Sequence, residues 1–362
     1  MKNFGTYSKE DVVFLLKDIS SLIVEEGNKE REIKIQNGNH YSEMIPIEHE
    51  ISEEYLKLYK EKLESNKDGL AYAIGVMSEK IIKRNGEDVV IVSLARAGTP
   101  IGILGKRYLK NRYNLDLPHY TISIIRDKGI DINAIKYIVN NHPNSKLQFV
   151  DGWTGKGTIS KELEKACTGL EAIFNKKFDS TLAVLADPAG YSELYGVRND
   201  FFIPSACLNS TVSGLVSRTV LRDDLIGKED FHGAKFYEHL RDCDESINYI
   251  NTIDNCFESQ YENIDNELKN WKGDIITKDG DKDVSRIKDI YDVKDINFIK
   301  PGVGETTRVL LRRVPDKILV RNINDESLRH ILILAKEKNV EVEEMNLKSY
   351  SCCGVIKNMR DI

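Results

Sequence analysis

Ten residues, Phe149 to Thr158 (FVDGWTGKGT), hold the densest chemistry in the chain. An apolar strand end gives way to an acid, a tight glycine turn and then Thr154-Gly155-Lys156-Gly157-Thr158. That run offers backbone N–H groups, two hydroxyls and an ammonium to a phosphate, and the helix after it adds the positive end of its dipole. Asp151 at the strand tip suits the hydroxyls of a sugar whose phosphate the loop takes. A Walker A loop would need glycine where Val150 stands and Ser or Thr where Gly157 stands. A dinucleotide fingerprint would need a third glycine at Ser160. Both readings fail, which leaves sugar-phosphate chemistry or an ordinary glycine-rich strand-to-helix turn; the turn alone does not account for Asp151, Lys156 and the two threonines together.

A second loop joins it. Ala95-Arg96-Ala97-Gly98 follows the apolar run Val89–Leu94. Small residues around an arginine let the backbone approach a ligand while the guanidinium meets an anion. In an open α/β sheet, ligands bind outside the carboxyl ends of the strands, so both loops belong to one edge.

The elements that must position these loops alternate regularly. Residues from about Ser8 to Leu63 read as mainly helical and polar. Helix Leu70–Ile82 leads to strand Val89–Leu94, and Thr99-Pro100 starts the next helix. Strand Tyr120–Ile125 leads to a helix capped by Asp131 and stopped before Pro143. Strand Leu147–Val150 precedes a helix with Ile159, Leu163, Ala166 and Leu170 inward, and strand Thr181–Ala186 ends at Asp187-Pro188. Apolar strands alternating with helices predict a parallel sheet covered on both faces. Asn209-Ser210-Thr211 is expected to cap a further helix, and an acidic, Asn-rich stretch follows from Asp223. From Arg308 a smaller α/β pattern begins, with strands at Val309–Val314, Lys317–Val320, Val340–Glu343 and Tyr350–Ile356 around a helix Asp325–Lys338. The domains expected are 1–68 (helical flank), 69–222 (body), 223–304 (helical extension and linker) and 305–362 (tail).

Composition sets the class. With 362 residues and a net charge of −6, the chain reads as a soluble globular protein and not as a nucleic-acid-coating one. Residues from Glu305 onward hold eleven basic and nine acidic side chains, a charge of +2 against −8 for the rest. That contrast hints at a polyanionic partner for the tail. No apolar run approaches a membrane span, and six scattered cysteines without CxxC pairs suggest neither zinc nor disulfides. The expected location is cytoplasmic.

Together, SLARAGTP (Ser93–Pro100) and FVDGWTGKGT resemble the pyrophosphate and ribose-phosphate loops of type I phosphoribosyltransferases. Over nearly its whole length the chain also resembles the bacterial StiP-type proteins. These join a phosphoribosyltransferase-like domain to a C-terminal Pelota-type RNA-binding domain. The family is associated with tellurite-resistance and stress gene clusters, and some members carry the name cysteine protease StiP. The fold implied is α/β: a type I phosphoribosyltransferase-like, doubly wound parallel sheet with helical flanks and a second, smaller C-terminal α/β domain.

The activity implied is a phosphoribosyl pyrophosphate-dependent phosphoribosyltransferase acting on a nucleobase-like or other small acceptor. Asp151 would hold ribose hydroxyls; Thr154, Gly155, Lys156, Gly157 and Thr158 the 5′-phosphate; Ala95, Arg96, Ala97 and Gly98 the pyrophosphate. Mg²⁺ would arrive mainly on the pyrophosphate, with no metal site of the protein's own. The loop Arg126-Asp127-Lys128-Gly129 would close over the leaving group, making Asp151, Arg96 and Lys128 the catalytic set. Two departures stand out. Gly152 replaces the second acid of the usual loop, and the segment before Thr154 is short and holds Trp153. A catalytically silent, phosphoribosyl-ligand-sensing RNA-binding regulator is therefore one alternative.

The protease name supplies another. Cys207, in SACLNS just ahead of the expected capped helix, is the candidate nucleophile, with His232 or His119 as base. The Pelota resemblance implies structured RNA as a partner, met by Arg308, Arg312, Arg313, Lys317, Arg321 and Arg329. A dimerisation role for the tail, and so a homo-oligomer, is the competing expectation.

Overall fold

The computed structural model describes residues 4–48 and 52–359. Its body is built on a six-stranded sheet. The strands in chain order are β1 (Val13–Phe14), β2 (Val89–Leu94), β3 (His119–Ile122), β4 (Lys146–Trp153), β5 (Ala183–Ala186) and β6 (Leu194–Val197). They lie side by side as β1-β3-β2-β4-β5-β6, and every neighbouring pair is parallel. All six residues of β2 are buried, as expected of a central strand covered on both faces.

The helices follow local rules. α1 spans Asn28–Gln36. α2 runs unbroken from Glu53 to Asn85, its first turn capped by Ser52, whose hydroxyl accepts the Tyr55 N–H at 3.2 Å. α3 (Gly98–Tyr113) ends on Asn114 in the left-handed conformation. α4 (Ile132–Asn141) starts at Asp131, whose carboxylate accepts the Ala134 N–H at 3.0 Å. α5 (Thr158–Phe174) springs from the glycine-rich loop after β4. α6 (Pro204–Cys207) is a single turn, followed by α7 (Ser246–Asp254), α8 (Phe257–Leu268) and α9 (Gly280–Ile290).

The tail forms its own mixed sheet from β7 (Ile299–Pro301), β8 (Pro315–Val320), β9 (Glu341–Glu344) and β10 (Cys352–Ile356), ordered β7-β10-β8-β9. Only β8 and β9 pair in parallel. α10 (Val303–Arg312) and α11 (Arg329–Glu337) complete it. The chain is thus an α/β protein with a smaller C-terminal α/β part.

Three local expectations change. Val309–Val314 is not a strand: Val303, Thr306, Thr307 and Leu310 recur at helical spacing, and their burial makes α10. Asn209-Ser210-Thr211 caps no long helix, because residues Asn209–Val212 make one 3₁₀ turn. The N-terminal segment is not mainly helical; it adds short strands, among them β1 at the edge of the main sheet.

Body and tail are not loosely strung. Val303, Leu310, Leu311 and Ile318 of the tail share one buried apolar cluster with Tyr55, Tyr59 and Phe202 of the body. Burial of this kind resists separation.

Candidate functional site

One glycine brings the two loops together. A Cβ on Gly98 would lie 2.3 Å from the Val150 carbonyl oxygen and 3.0 Å from the Asp151 Cα. Only glycine permits that approach, so the Ala95–Ala97 turn sits directly beside the Asp151 loop. On the other side, α10 crosses the same loop at Gly304, where a Cβ would meet the Trp153 ring at 2.4 Å. Arg308, one turn further along α10, lays its guanidinium over that ring, 4.3 Å from the centroid.

Between them lies a cavity of about 280 Å³ that opens into an adjoining lobe of about 250 Å³. Thr154 to Ser160, with Arg126, wall the first lobe. Ala95, Arg96, Thr219 and Arg312 wall the second. Asp151, Ala97, Arg31, Tyr41 and Arg218 serve both, as do Lys300, Glu305, Arg308 and Arg313 of the tail. Nine basic side chains and two carboxylates therefore face one space.

Crowding and burial set their electrostatics. Burial lifts Asp151 to about 6, although the Gly152 N–H donates to its Oδ1 at 2.7 Å and Arg308 stands near. Burial pushes Lys156 down to about 8. It pushes Lys300 down to about 7, with Lys156 adding to the effect. Arg218, buried and close to Arg31, falls to about 9. Burial alone would raise Glu305, yet Arg308 and Lys300 hold it below its usual range.

Several groups already have protein partners. The Thr154 hydroxyl donates to Asp187. Lys156 donates to the carbonyls of Ile296 and Ile299, the latter at 3.1 Å. Arg96 donates to the Val216 carbonyl at 2.7 Å and to Glu48 at 3.1 Å. Arg313 grips Glu32 with two hydrogen bonds, at 2.6 and 2.9 Å. Arg126 and Arg218 flank the Tyr41 ring at 5.4 and 4.4 Å.

The six tail residues expected to meet RNA divide. Arg308, Arg312 and Arg313 face the cavity. Lys317 pairs with Glu343, and Arg321 donates to the carbonyls of Leu347, Lys348 and Tyr350. Arg329 is exposed. Lys128 is exposed too and does not line the cavity. Among the described residues, no group of three or more His, Cys, Asp or Glu is placed to hold a metal ion.

Cys207 lies in the main apolar core with Tyr55, Tyr59 and Tyr249 around it. Its carbonyl accepts the Tyr55 hydroxyl at 3.3 Å, and burial pushes its thiol up to about 12. It ends α6 instead of preceding a long helix, so no N-terminal dipole lowers that value. The expected bases are engaged elsewhere. His232 Nδ1 meets Ser123 Oγ at 2.9 Å, and its ring is held below the usual imidazole range by burial. His119 bridges Ser93 Oγ and the Asp11 carbonyl, both at 2.8 Å, and burial drives it to about 3.

Arg31, Tyr41, Arg218, Lys300 and Glu305 were not among the expected site residues. No local pattern marks them, since folding brings them in from three distant segments.

Comparison with known proteins decides the family. Residues 5–254 match the model described as tellurite-like stress resistance cysteine protease StiP. The chain belongs to the StiP family. Residues 278–358 match the Pelota RNA-binding domain, which points to RNA as a partner of the tail. A relative named cysteine protease StiP, from Acinetobacter baylyi, is 33% identical over 98% of this chain and 94% of its own length.

These matches overturn the transferase reading. The family and its relative are described as cysteine proteases, so phosphoribosyl pyrophosphate-dependent transfer to a small acceptor, and the glycosyltransferase class with it, are withdrawn. The StiP, stress-resistance and Pelota expectations stand. Among the described residues, no helix is long and apolar enough to cross a membrane.

Proposed function

We propose that the chain performs a StiP-type, cysteine-protease-like function in the body, joined to RNA recognition by the Pelota-type tail. The observation that carries this is the family match across residues 5–254, reinforced by a relative aligned over nearly the full length of both chains. In such chemistry a thiolate adds to a scissile carbonyl, the amine leaves with a proton, and water releases the acyl group. Cys207 is the thiol we assign. In the resting chain it is enclosed and protonated, so activity requires the packing of α2, α6 and α7 around it to open. For the body we also infer a phosphoribosyltransferase-like backbone plan, on the strength of the two loops at adjacent strand ends; this is a statement of fold, not of activity.

The test is hydrolysis of a fluorescent casein or peptide library by the full chain. Loss of turnover on iodoacetamide treatment and in Cys207→Ser, with circular dichroism unchanged, supports the reading. Undiminished turnover in Cys207→Ser removes that residue, and thiol-insensitive or absent hydrolysis removes the proteolytic role.

One observation favours a second reading. The basic cavity contains no cysteine among its lining residues. An anion-responsive, RNA-binding regulator would use that cavity and need no thiol.

A further inference from the structure

We propose that Lys300 is a nucleophilic lysine, whose amine condenses inside the cavity with the carbonyl of a small oxo acid while Arg218 holds that ligand's carboxylate. The inference goes beyond the proteolytic reading and does not depend on it.

Placement carries the argument. Lys300 is the middle residue of β7, between buried Ile299 and Pro301, and its backbone is fixed by pairing with Gly354 of β10. Its half-buried side chain lines both lobes of the cavity. Among the described residues nothing answers its ammonium. It makes no hydrogen bond or ion pair, yet it is not one of the sealed polar atoms of the interior, so it meets the open space. Lys156, the other lysine of the wall, is committed to the carbonyls of Ile296 and Ile299. The remaining basic side chains there are arginines, which stay charged and supply no neutral amine.

An unanswered lysine in such a place costs stability, and what it adds in return is chemistry. Burial, with Lys156, Arg313 and Arg126 outweighing Glu305, pushes it down to about 7. About half of it is then neutral amine at pH 7, against roughly one part in three thousand for an exposed lysine. A desolvated lysine beside other cations is the arrangement that makes an amine nucleophilic. Its lone pair forms the C–N bond to the carbonyl carbon, and the carbonyl oxygen takes a proton from that nitrogen. A second proton, from the Asp151 carboxyl that burial holds at about 6, releases the oxygen as water and leaves an iminium. Glu305, held ionised on the same wall, offsets the new cation. The other end of the ligand is set by charge. Arg218 lines both lobes and stacks on Tyr41 at 4.4 Å, and among the described residues its guanidinium is neither hydrogen-bonded nor sealed. Its planar fork suits a carboxylate.

Reductive trapping on the full chain tests this. Pyruvate and levulinate are the probes, cyanoborohydride is the reductant that delivers hydride to the iminium carbon, and peptide mass spectrometry locates the adduct. At pH 7 Lys300 should label at least about tenfold faster than exposed Lys336. That ratio should fall as pH rises from about 7 to 9, because only the exposed amine still gains neutral form. For at least one acid, the methyl ester should label Lys300 at least about tenfold less, and Arg218→Gln should erase the difference. Lys300→Arg keeps the charge and should lose the adduct. If that variant fails to fold, the wild-type map and its pH course decide alone. No adduct at Lys300, a ratio to Lys336 near one or indifferent to pH, or equal labelling by acids and esters overturns the proposal. Thiol-sensitive hydrolysis is read separately, so failure here leaves the proteolytic reading standing.

Discussion

Arg308 of the tail stacks on Trp153 of the body, 4.3 Å from its ring centroid, directly over the strand end that carries Asp151. A side chain that sequence assigns to an RNA surface is thus part of a cavity wall. The tail completes the body's site, and the two parts must be tested together.

The contact at Gly98 gives the first prediction. An added methyl would press on backbone, which cannot rotate away, so Gly98→Ala should destabilise the chain by at least about 2 kcal/mol. Gly69 lies exposed within α2 with nothing within 4 Å of an added Cβ. Gly69→Ala should stabilise by roughly 0.5–1 kcal/mol through helix propensity. Urea titrations of both variants check the pair. Equal effects would mean that the close approach of α3 to β4 is not as described.

Much of the body was legible because its signals are local. Val89–Leu94 is an unbroken apolar run, Asp131 is a helix cap followed by a periodic face, and Phe149–Thr158 concentrates glycine, hydroxyl and charge in ten residues. Where the signal was short, it misled. Val309-Leu310-Leu311 fits a strand or a helix equally until the burial of Val303 and Thr307 fixes the period. Two-residue β1 had no pattern long enough to see. Half of the cavity was invisible for another reason. Arg31, Tyr41 and Arg218 are single residues in unremarkable segments, and only tertiary folding sets them beside Asp151.

Thiol reactivity should follow burial. Cys243 is the exposed cysteine, whereas Cys207 is enclosed with its thiol pushed up to about 12. Against an ordinary thiol near 8.5, that shift leaves about three thousandfold less thiolate at neutral pH. Mass spectrometry after brief iodoacetamide exposure should show Cys243 modified first, with Cys207 reached only on long exposure, as the packing around it opens, or in denaturant. Rapid labelling of Cys207 by a substrate-like electrophile, with Cys243 untouched, would reveal the opening that a proteolytic role requires.

Lys300 predicts a pH dependence with a definite sign. Its folded pKa of about 7 lies below the ordinary lysine value of 10.5, so between these the unfolded chain binds more protons. The cost of Lys300 is therefore full below pH 7 and is relieved as pH rises toward 10. Lys300→Met should gain stability over wild type at pH 7, and that gain should shrink by pH 9. A gain of equal size at both pH values would show that Lys300 is not titrating in this range.

RNA binding should use the tail's outward side. Arg329 is exposed, whereas Arg321 is committed to three carbonyls at 3.0, 3.0 and 2.7 Å and Arg312 faces the cavity. Arg329→Glu should weaken binding of structured RNA by the full chain. It should also flatten the slope of log affinity against log salt by about 0.7–0.9 if one phosphate contact is lost. Arg321→Ala should instead lower the melting temperature, because the loop Leu347–Tyr350 loses the guanidinium that ties it down. Arg312→Met, at a residue that faces the cavity, should leave RNA affinity unchanged. Filter binding across a salt series, with melting curves for each variant, checks all three. A loss in Arg312→Met as large as that in Arg329→Glu would show that RNA reaches the cavity face as well.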